Sequence, residues 1–270
     1  MIDDWQYDAT RRAKAALIDT NVPNAARVWD YLLGGRDNFE ADRKAARTIA
    51  ASSVLRVTAL AARAFQERVV RYLVAEAGIT QFLDIGAGLA MSGSTHEVAQ
   101  SLVPRCRVVY VDNDPVVLSH ARALLRSAPG GVISYLDSDV TDVDTIVSAA
   151  RATLDFGQPI GVLLTILAFV TDAAAAVVSA LAEAVPDGSH IAISHLASDM
   201  DPGVRMAVRQ WNGMSAQRVT LRSRAEVAGL VAGLDPVPPG LVPVSAWHPG
   251  AAAPPREGDV PMYGVVAKKP

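Results

Sequence analysis

QFLDIGAGLAMSG, Gln81 to Gly93, is the stretch whose reading decides the fold. Phe82, Leu83 and Ile85 form a short apolar strand with Asp84 among them, and Gly86, Ala87 and Gly88 follow as a tight turn. Ser94 and Glu97 have the spacing of a capping box ahead of Val98 and Ala99, so a helix is predicted next. Strand, glycine turn and helix in that order form the opening unit of a nucleotide-binding α/β domain. Glycine lets the backbone approach a ligand closely, and a carboxylate beside it can accept hydrogen bonds from a cation or a hydroxyl. By itself the pattern fits an ordinary strand-to-helix turn equally well, and the rest of the chain decides.

Downstream, strands and helices alternate. Arg107–Val111 is a β-branched strand ending at Asp112, and Asp114 caps a helix whose first residue is Pro115. Val132–Leu136 forms a third strand, followed by DSDVTD, where Asp142 can cap a helix from Val143 to Leu154. Ile160–Leu167 is a continuous apolar run, as a central parallel strand requires. Thr171 or Asp172 caps the alanine-rich helix that follows, and His190–Ser194 is a fifth strand. Helices are predicted over Pro202–Asn212 and the segment from the Ser223/Glu226 capping box to about Ala232. Leu241–Trp247 and Met262–Ala267 are two late strands with a proline-rich loop between them. The order predicts a mainly parallel sheet ending in an antiparallel hairpin.

Upstream, Ala26, Val28, Trp29, Leu32 and Leu33 recur at helical spacing after Pro23, which suits a first turn. Gly34 and Gly35 stop this helix, and GGRDN leads into a second one from near Asn38 to Ala50. Residues 1 to about 20 are polar and mixed in charge. A longer helix covers about Ser53–Ala77, with Leu60, Ala61, Ala64, Phe65, Val69, Tyr72 and Leu73 on one face.

Composition bounds the rest. The chain has 270 residues, half of them hydrophobic, and a net charge of −3. That charge suggests no nucleic-acid or anionic-membrane footprint. One cysteine, Cys106, excludes an intrachain disulfide and a cysteine-rich metal site, and the five histidines show no metal-ligand spacing. No signal peptide or uninterrupted run of about 18 apolar residues is present, so a cytoplasmic protein is the default.

Asp84, Asp112 and Asp139 stand at or just past three successive strand ends. A doubly wound sheet gathers such ends at one edge, where ligands bind. Asp112 lies 24 residues after Gly88, the distance expected for an acid that accepts from ribose hydroxyls. Asp139 could accept from an adenine amino group, with Val140 beside the ring. The third glycine of GxGxxG is replaced by Met91, and a carboxylate two residues before the first glycine repels a pyrophosphate. DIGAG therefore favours S-adenosylmethionine, which carries an ammonium and a sulfonium, over NAD.

DIGAG with Asp112 resembles the class I S-adenosylmethionine-dependent methyltransferases. PNAARVWDYLLGGRDNFEADR, THEVAQ, VVYVDNDPVVLSHARALL, ISHLASD and PGLVPVSAWHP narrow the resemblance to a bacterial family of S-adenosyl methyltransferases common in actinobacteria, from about Val22 to the C-terminus. The resemblance implies an α/β, Rossmann-like three-layer sandwich. Its seven-stranded, mainly parallel sheet has an antiparallel last strand, with an N-terminal helical cap (residues 1–52) on the cofactor domain (53–270). It implies cofactor contacts at Asp84, Gly86, Gly88, Asp112, Asn113, Asp139 and Val140, with Leu167 and Ala168 after the fourth strand. Tyr31, Gly35, Asn38 and Phe169 would lie near cofactor or substrate.

Ala168 stands where such proteins often carry a histidine. His195, at the end of the fifth strand, is then the candidate general base. His96 is read as a helix-surface or capping residue. Trp29, Trp211 and Phe169 are aromatic-wall candidates for which core packing is the simpler use. The expected activity is methyl transfer from S-adenosylmethionine to a small molecule, with no nucleic acid, membrane or metal partner, and a homodimer is left open. The rivals are a cofactor-binding regulatory protein and a nucleotide-dependent oxidoreductase using NAD.

Overall fold

A computed structural model describes residues 19–51, 54–89, 93–124, 126–165, 167–248 and 260–270, with backbone alone for 122–124. The expected polar arm before residue 19, the AMS of the glycine stretch and most of the late proline-rich loop lie outside them. The described residues open with two helices, α1 (Ala25–Leu32) and α2 (Glu40–Ala50), here called the cap, and a long helix α3 (Leu55–Ala75). Next come β1 (Gln81–Ile85), α4 (Thr95–Leu102), β2 (Arg107–Asp112), α5 (Pro115–Leu124), β3 (Val132–Asp137), α6 (Val143–Ala150) and β4 (Gly161–Leu164). The second half holds α7 (Ala174–Ala184), β5 (His190–Leu196), α8 (Pro202–Met214) and α9 (Arg224–Leu230). Two short strands, β6 (Asp235–Pro236) and β7 (Val242–Pro243), precede β8 (Met262–Lys268).

The sheet runs β3-β2-β1-β4-β5-β8-β6, with β7 also paired to β8. The first five strands are parallel and β8 is antiparallel to β5. The expected seven strands appear as eight segments, because the strand before the last is split. Pro236 and Pro243 lack an N–H for the ladder, and each piece pairs β8 over two residues only. The segment expected as the strand Leu241–Trp247 is strand at Val242–Pro243, then a 3-10 turn at Val244–Ala246. That turn delivers Trp247, fully buried, edge-on to Phe65 and Tyr72 at 5.6 Å from each.

Strand alternation divides the core. Phe82, Val108, Tyr110 and Val266 face α2, α3 and α8, whereas Leu83, Val109, Val162 and Ile191 face α6 and α7. Val28, Leu32, Ala45, Ala46 and Ile49 of the cap join the first of these cores. The inward face of α3 is Leu55, Thr58, Ala59, Phe65, Val69, Val70, Leu73 and Val74; Leu60 is half exposed and Ala64 exposed, against expectation. Asn24 caps α1 by accepting from Ala26 N at 2.8 Å, so Pro23 precedes the helix instead of opening it. The Ser94/Glu97 box does not form: Glu97 accepts from Gly93 N, and Ser94 Oγ meets His96 Nδ1. Ala173 is the N-cap of α7, with no side-chain bond from Thr171 or Asp172. Among the described residues no single helix is long and apolar enough to cross a membrane.

Candidate functional site

A cleft of about 620 Å³ opens above the C-terminal ends of β1, β2, β4 and β5. Its floor is the β1 turn, where Gly86 and Gly88 take φ of 78° and 64°, a region that favours glycine. A Cβ at Gly88 would meet nothing within 4 Å, so this backbone faces open space. Gly86 N and Ala87 N both donate to Val111 O, pinning the turn to β2.

Asp112 ends β2 beneath the turn. Its Oδ2 accepts from Gly88 N at 3.0 Å and its Oδ1 from Asp114 N at 2.9 Å, and burial pushes its pKa up to about 6. Asn113 donates to Asp139 Oδ2 at 3.0 Å, while Thr141 donates twice to Asp139 Oδ1 and holds that carboxyl below its usual range. Gly86, Gly88, Asp112, Asn113, Asp139, Val140, Ala168 and Phe169 all line the cleft, as expected from the sequence.

Five of the expected contacts do not line it. Asp84 alternates with the cleft-lining Ile85 and so faces α3 and α4. Its Oδ2 accepts from Thr95 Oγ1 at 2.7 Å and Gln66 Nε2 at 3.1 Å, its Oδ1 is buried without a hydrogen bond, and burial raises its pKa to about 6. It lines a separate cavity of about 20 Å³ behind the glycine turn. Leu167 is fully buried. Tyr31, Gly35 and Asn38 lie outside the lining. The GGRDN loop curls around Asp30 instead: Asp37 N and Asn38 Nδ2 donate to Asp30 Oδ2 at 3.0 and 2.7 Å. It is Asp30 that reaches the cleft.

His195 also stays out. The fifth strand continues through Leu196, so Ser194 and Leu196 face the cleft and His195 the opposite side. The ring is fully buried, donates from Nδ1 to Leu196 O at 2.9 Å and accepts at Nε2 from Arg222 Nη1 at 2.6 Å. Burial holds its pKa at about 4. A histidine with both nitrogens occupied and no path to the cleft is not positioned as a general base. Arg222 also donates to the carbonyls of Leu167, Val170 and Thr171, so the pair braces the loop after β4 that lines the cleft. His96 is likewise buried, not on the helix surface, with N and Nδ1 both 2.9 Å from Tyr110 Oη. Of the aromatics, Trp29 and Phe169 line the cleft and Trp211 does not.

The sequence reading also missed contributors from four places. α1 offers Ala26, Asp30 and Leu33, which with Trp29 form one helical stripe turned to the cleft while Val28 and Leu32 enter the core. Arg63 and Gln66 come from α3, Gln217 and Arg218 from the loop after α8, and Met262 from β8. Ala25 N donates to Gln217 Oε1 at 2.8 Å, joining the cap to that loop. The only sequence signal for Asp30 is an acid set among apolar helix positions just before GGRDN. Gln217 gives none, because the α8 loop meets α1 only through the tertiary fold.

Asp30, Asp112, Asp114, Asp139 and Asp172 line the cleft against Arg63 and Arg218. That acidic excess suits a cationic nucleoside and opposes a pyrophosphate. Among the described residues no group of three His, Cys, Asp or Glu side chains could hold a metal ion. Residues 11–270 match the family described as S-adenosyl methyltransferase. The chain belongs to that family. Its activity is accordingly methyl transfer from S-adenosylmethionine, and the cleft fits that cofactor: an exposed glycine turn, a buried carboxylate beneath it and a net negative wall. Over 93% of the chain it is similar to a DUF574 family protein from Streptomyces avermitilis, at 40% identity and a TM-score of 0.90, covering 99% of that protein. A proposed methyltransferase from Thermobifida fusca is 35% identical with a TM-score of 0.86, across 93% of this chain and 96% of that one. The mitomycin 7-O-methyltransferase MmcR, 17% identical with a TM-score of 0.52, covers 98% of this chain and 68% of its own and shares the fold alone. No curated protein matches.

Proposed function

We propose that this family member methylates a small-molecule acceptor in the cytoplasm, with the cofactor nucleoside lying along Gly86–Gly88, Asp112, Asn113, Asp139 and Val140. The observation that carries the reading is Asp112, a buried carboxylate held by the Gly88 and Asp114 amides at the floor of the cleft. Its backbone donors fix both oxygens and leave lone pairs for two ribose hydroxyls. Asn113 and Thr141 orient Asp139 at the rim, where it can accept from an exocyclic amine. Val140 offers an apolar edge to the base. The cofactor supplies a methyl group on a sulfonium centre. The protein's part is to hold the acceptor in line with it and to exclude water. α1 serves as the lid: Trp29 and Leu33 line the same cleft as Phe169 and Ala168, and its volume of about 620 Å³ is in the range of small-molecule sites.

Calorimetry with S-adenosylmethionine, its demethylated product S-adenosylhomocysteine and NAD tests the reading. The first two should bind and NAD should not, and Asp112→Ala should weaken binding about 30-fold or more, the loss of two hydrogen bonds to a buried carboxylate. Binding of NAD alone, or an Asp112→Ala chain with unchanged affinity, would refute it.

A further inference from the structure

Among its described residues the cap contains two buried aspartates, and they differ. Asp42, fully buried, is satisfied at both oxygens: Oδ1 accepts from Asn24 N at 2.9 Å, Oδ2 from Phe39 N at 2.8 Å, and Arg27 lies 3.5 Å away. That is a structural carboxylate, tying the start of α1 to α2. Asp30 is 3% exposed and lines the cleft. Both of its hydrogen bonds, from Asp37 N and Asn38 Nδ2, fall on Oδ2, and among the described residues none reaches Oδ1. Oδ1 therefore keeps its lone pairs for a donor on a bound molecule, and a hydrogen bond to a carboxylate is among the stronger kinds.

The surroundings hold the carboxylate in one place. Gly35 N donates to Asp30 O at 2.8 Å, and a Cβ on Gly35 would lie 1.9 Å from Oδ1, so only glycine admits the side chain there. Asn38 is itself fixed, donating to Gly35 O at 3.1 Å and accepting from Arg43 at 3.1 Å. Asp37 also reaches His120 of α5 at 3.2 Å, which joins this loop to the sheet domain. Gly35, Asp37 and Asn38 of the GGRDN segment thus mount one carboxylate.

We propose that Asp30 is a ligand-binding carboxylate, through which the cap takes a hydrogen-bond donor (an ammonium, amine or hydroxyl) from the molecules in the cleft. The inference rests on the reading of the cleft as the methyltransferase site. Two bound molecules could carry that donor. The cofactor has an amino group and ribose hydroxyls, and an oxygen or nitrogen methyl acceptor carries the O–H or N–H that it loses. Trp29, beside Asp30 on the same helix face, gives the acceptor's donor a flat apolar neighbour.

Calorimetry on the full chain, wild type against Asp30→Asn, separates the sources. The first arm titrates S-adenosylhomocysteine. The second saturates the protein with it and titrates 4-ethylphenol and benzylamine, with 4-ethylanisole and benzyltrimethylammonium as donor-free counterparts. A tenfold or greater loss in the first arm assigns the donor to the cofactor. Unchanged affinity there, with a tenfold donor preference in wild type that Asp30→Asn abolishes, assigns it to the acceptor. Equal affinities in the first arm and no donor preference in the second overturn the proposal. Should Asp30→Asn not fold, the ¹³Cγ resonance of Asp30 in aspartate-labelled wild-type protein replaces it: it must shift when S-adenosylhomocysteine or a donor-bearing probe is added, and a resonance unmoved by all of them overturns the proposal. Failure of the wild-type chain to bind S-adenosylmethionine or its product is a different result, which sinks the functional reading itself.

Discussion

Replacing His195 by glutamine removes one titration from the folded protein while leaving an oxygen where Nε2 accepts from Arg222. In the native chain the ring is fully buried, and its pKa is lowered from 6.5 to about 4 by burial. The unfolded chain therefore binds a proton between pH 6.5 and 4 that the folded chain refuses. The stability conferred by the neutral ring is complete above pH 6.5 and is lost as pH falls towards 4. A shift of about 2.5 units corresponds to about 3.4 kcal/mol in total, of which about 2 kcal/mol is gone at pH 5. Asp84 and Asp112 work in the opposite sense. Their folded pKa values are raised to about 6, so each is relieved by protonation as pH falls through that value. They are present in both proteins and cancel in the difference. At pH 7.5 the variant should be about 1–2 kcal/mol less stable, for the lost bond to Leu196 O and the lost ring packing. At pH 5 that deficit should vanish or reverse, a relative gain of about 4–8 °C in Tm. Urea unfolding and thermal melts at pH 7.5, 6 and 5 measure it. Parallel pH profiles for the two proteins would refute the reasoning. Turnover should also fall by less than the roughly 100-fold that loss of a general base brings.

Gly35→Ala should destabilise the chain by about 3 kcal/mol, because a Cβ 1.9 Å from Asp30 Oδ1 must displace a carboxylate that holds two hydrogen bonds; a melt unchanged within a degree would contradict the packing described. Trp247→Ala should cost about 3–5 kcal/mol in urea unfolding, since the ring is fully buried against Phe65 and Tyr72, and Arg68 donates to the carbonyl of the same residue. Gly161→Ala should be destabilising by about 1–3 kcal/mol through overpacking, its Cβ falling 2.9 Å from the Phe82 ring and 3.2 Å from Leu73, and a repacking Phe82→Leu change should recover part of that loss.

The mainly parallel sheet with its antiparallel last strand, and the glycine turn with the acid beneath it, were legible because their signals are written locally. A strand, a positive-φ glycine turn and an acid a fixed distance later depend on neighbours in sequence, and β1, Gly86–Gly88 and Asp112 stand where that pattern puts them. His195 was misread for a geometric reason. Side chains on a strand alternate, so extending β5 by two residues beyond Ser194 turned His195 from the cleft to the core. The same alternation sent Asp84 behind the turn and left Ile85 at the cleft.

The N-terminal motif shows the division most clearly. Periodicity gave α1 and its stop at Gly34, and the density of turn residues in GGRDN marked a segment with a special backbone. Which of its residues reaches the cleft was not encoded locally. Tyr31, Gly35 and Asn38 look like the reactive or flexible members, yet Gly35 and Asn38 close around Asp30 and that carboxylate faces the cleft. The succession of strands and helices, the glycine turn and the acid 24 residues after Gly88 could be read from the chain alone, because hydrophobic period, φ and short-range spacing are local properties. Which face of each strand and helix borders the cleft is set by the folded chain as a whole, because it depends on how α1, the loop after β4 and the loop after α8 pack together across the top of the sheet.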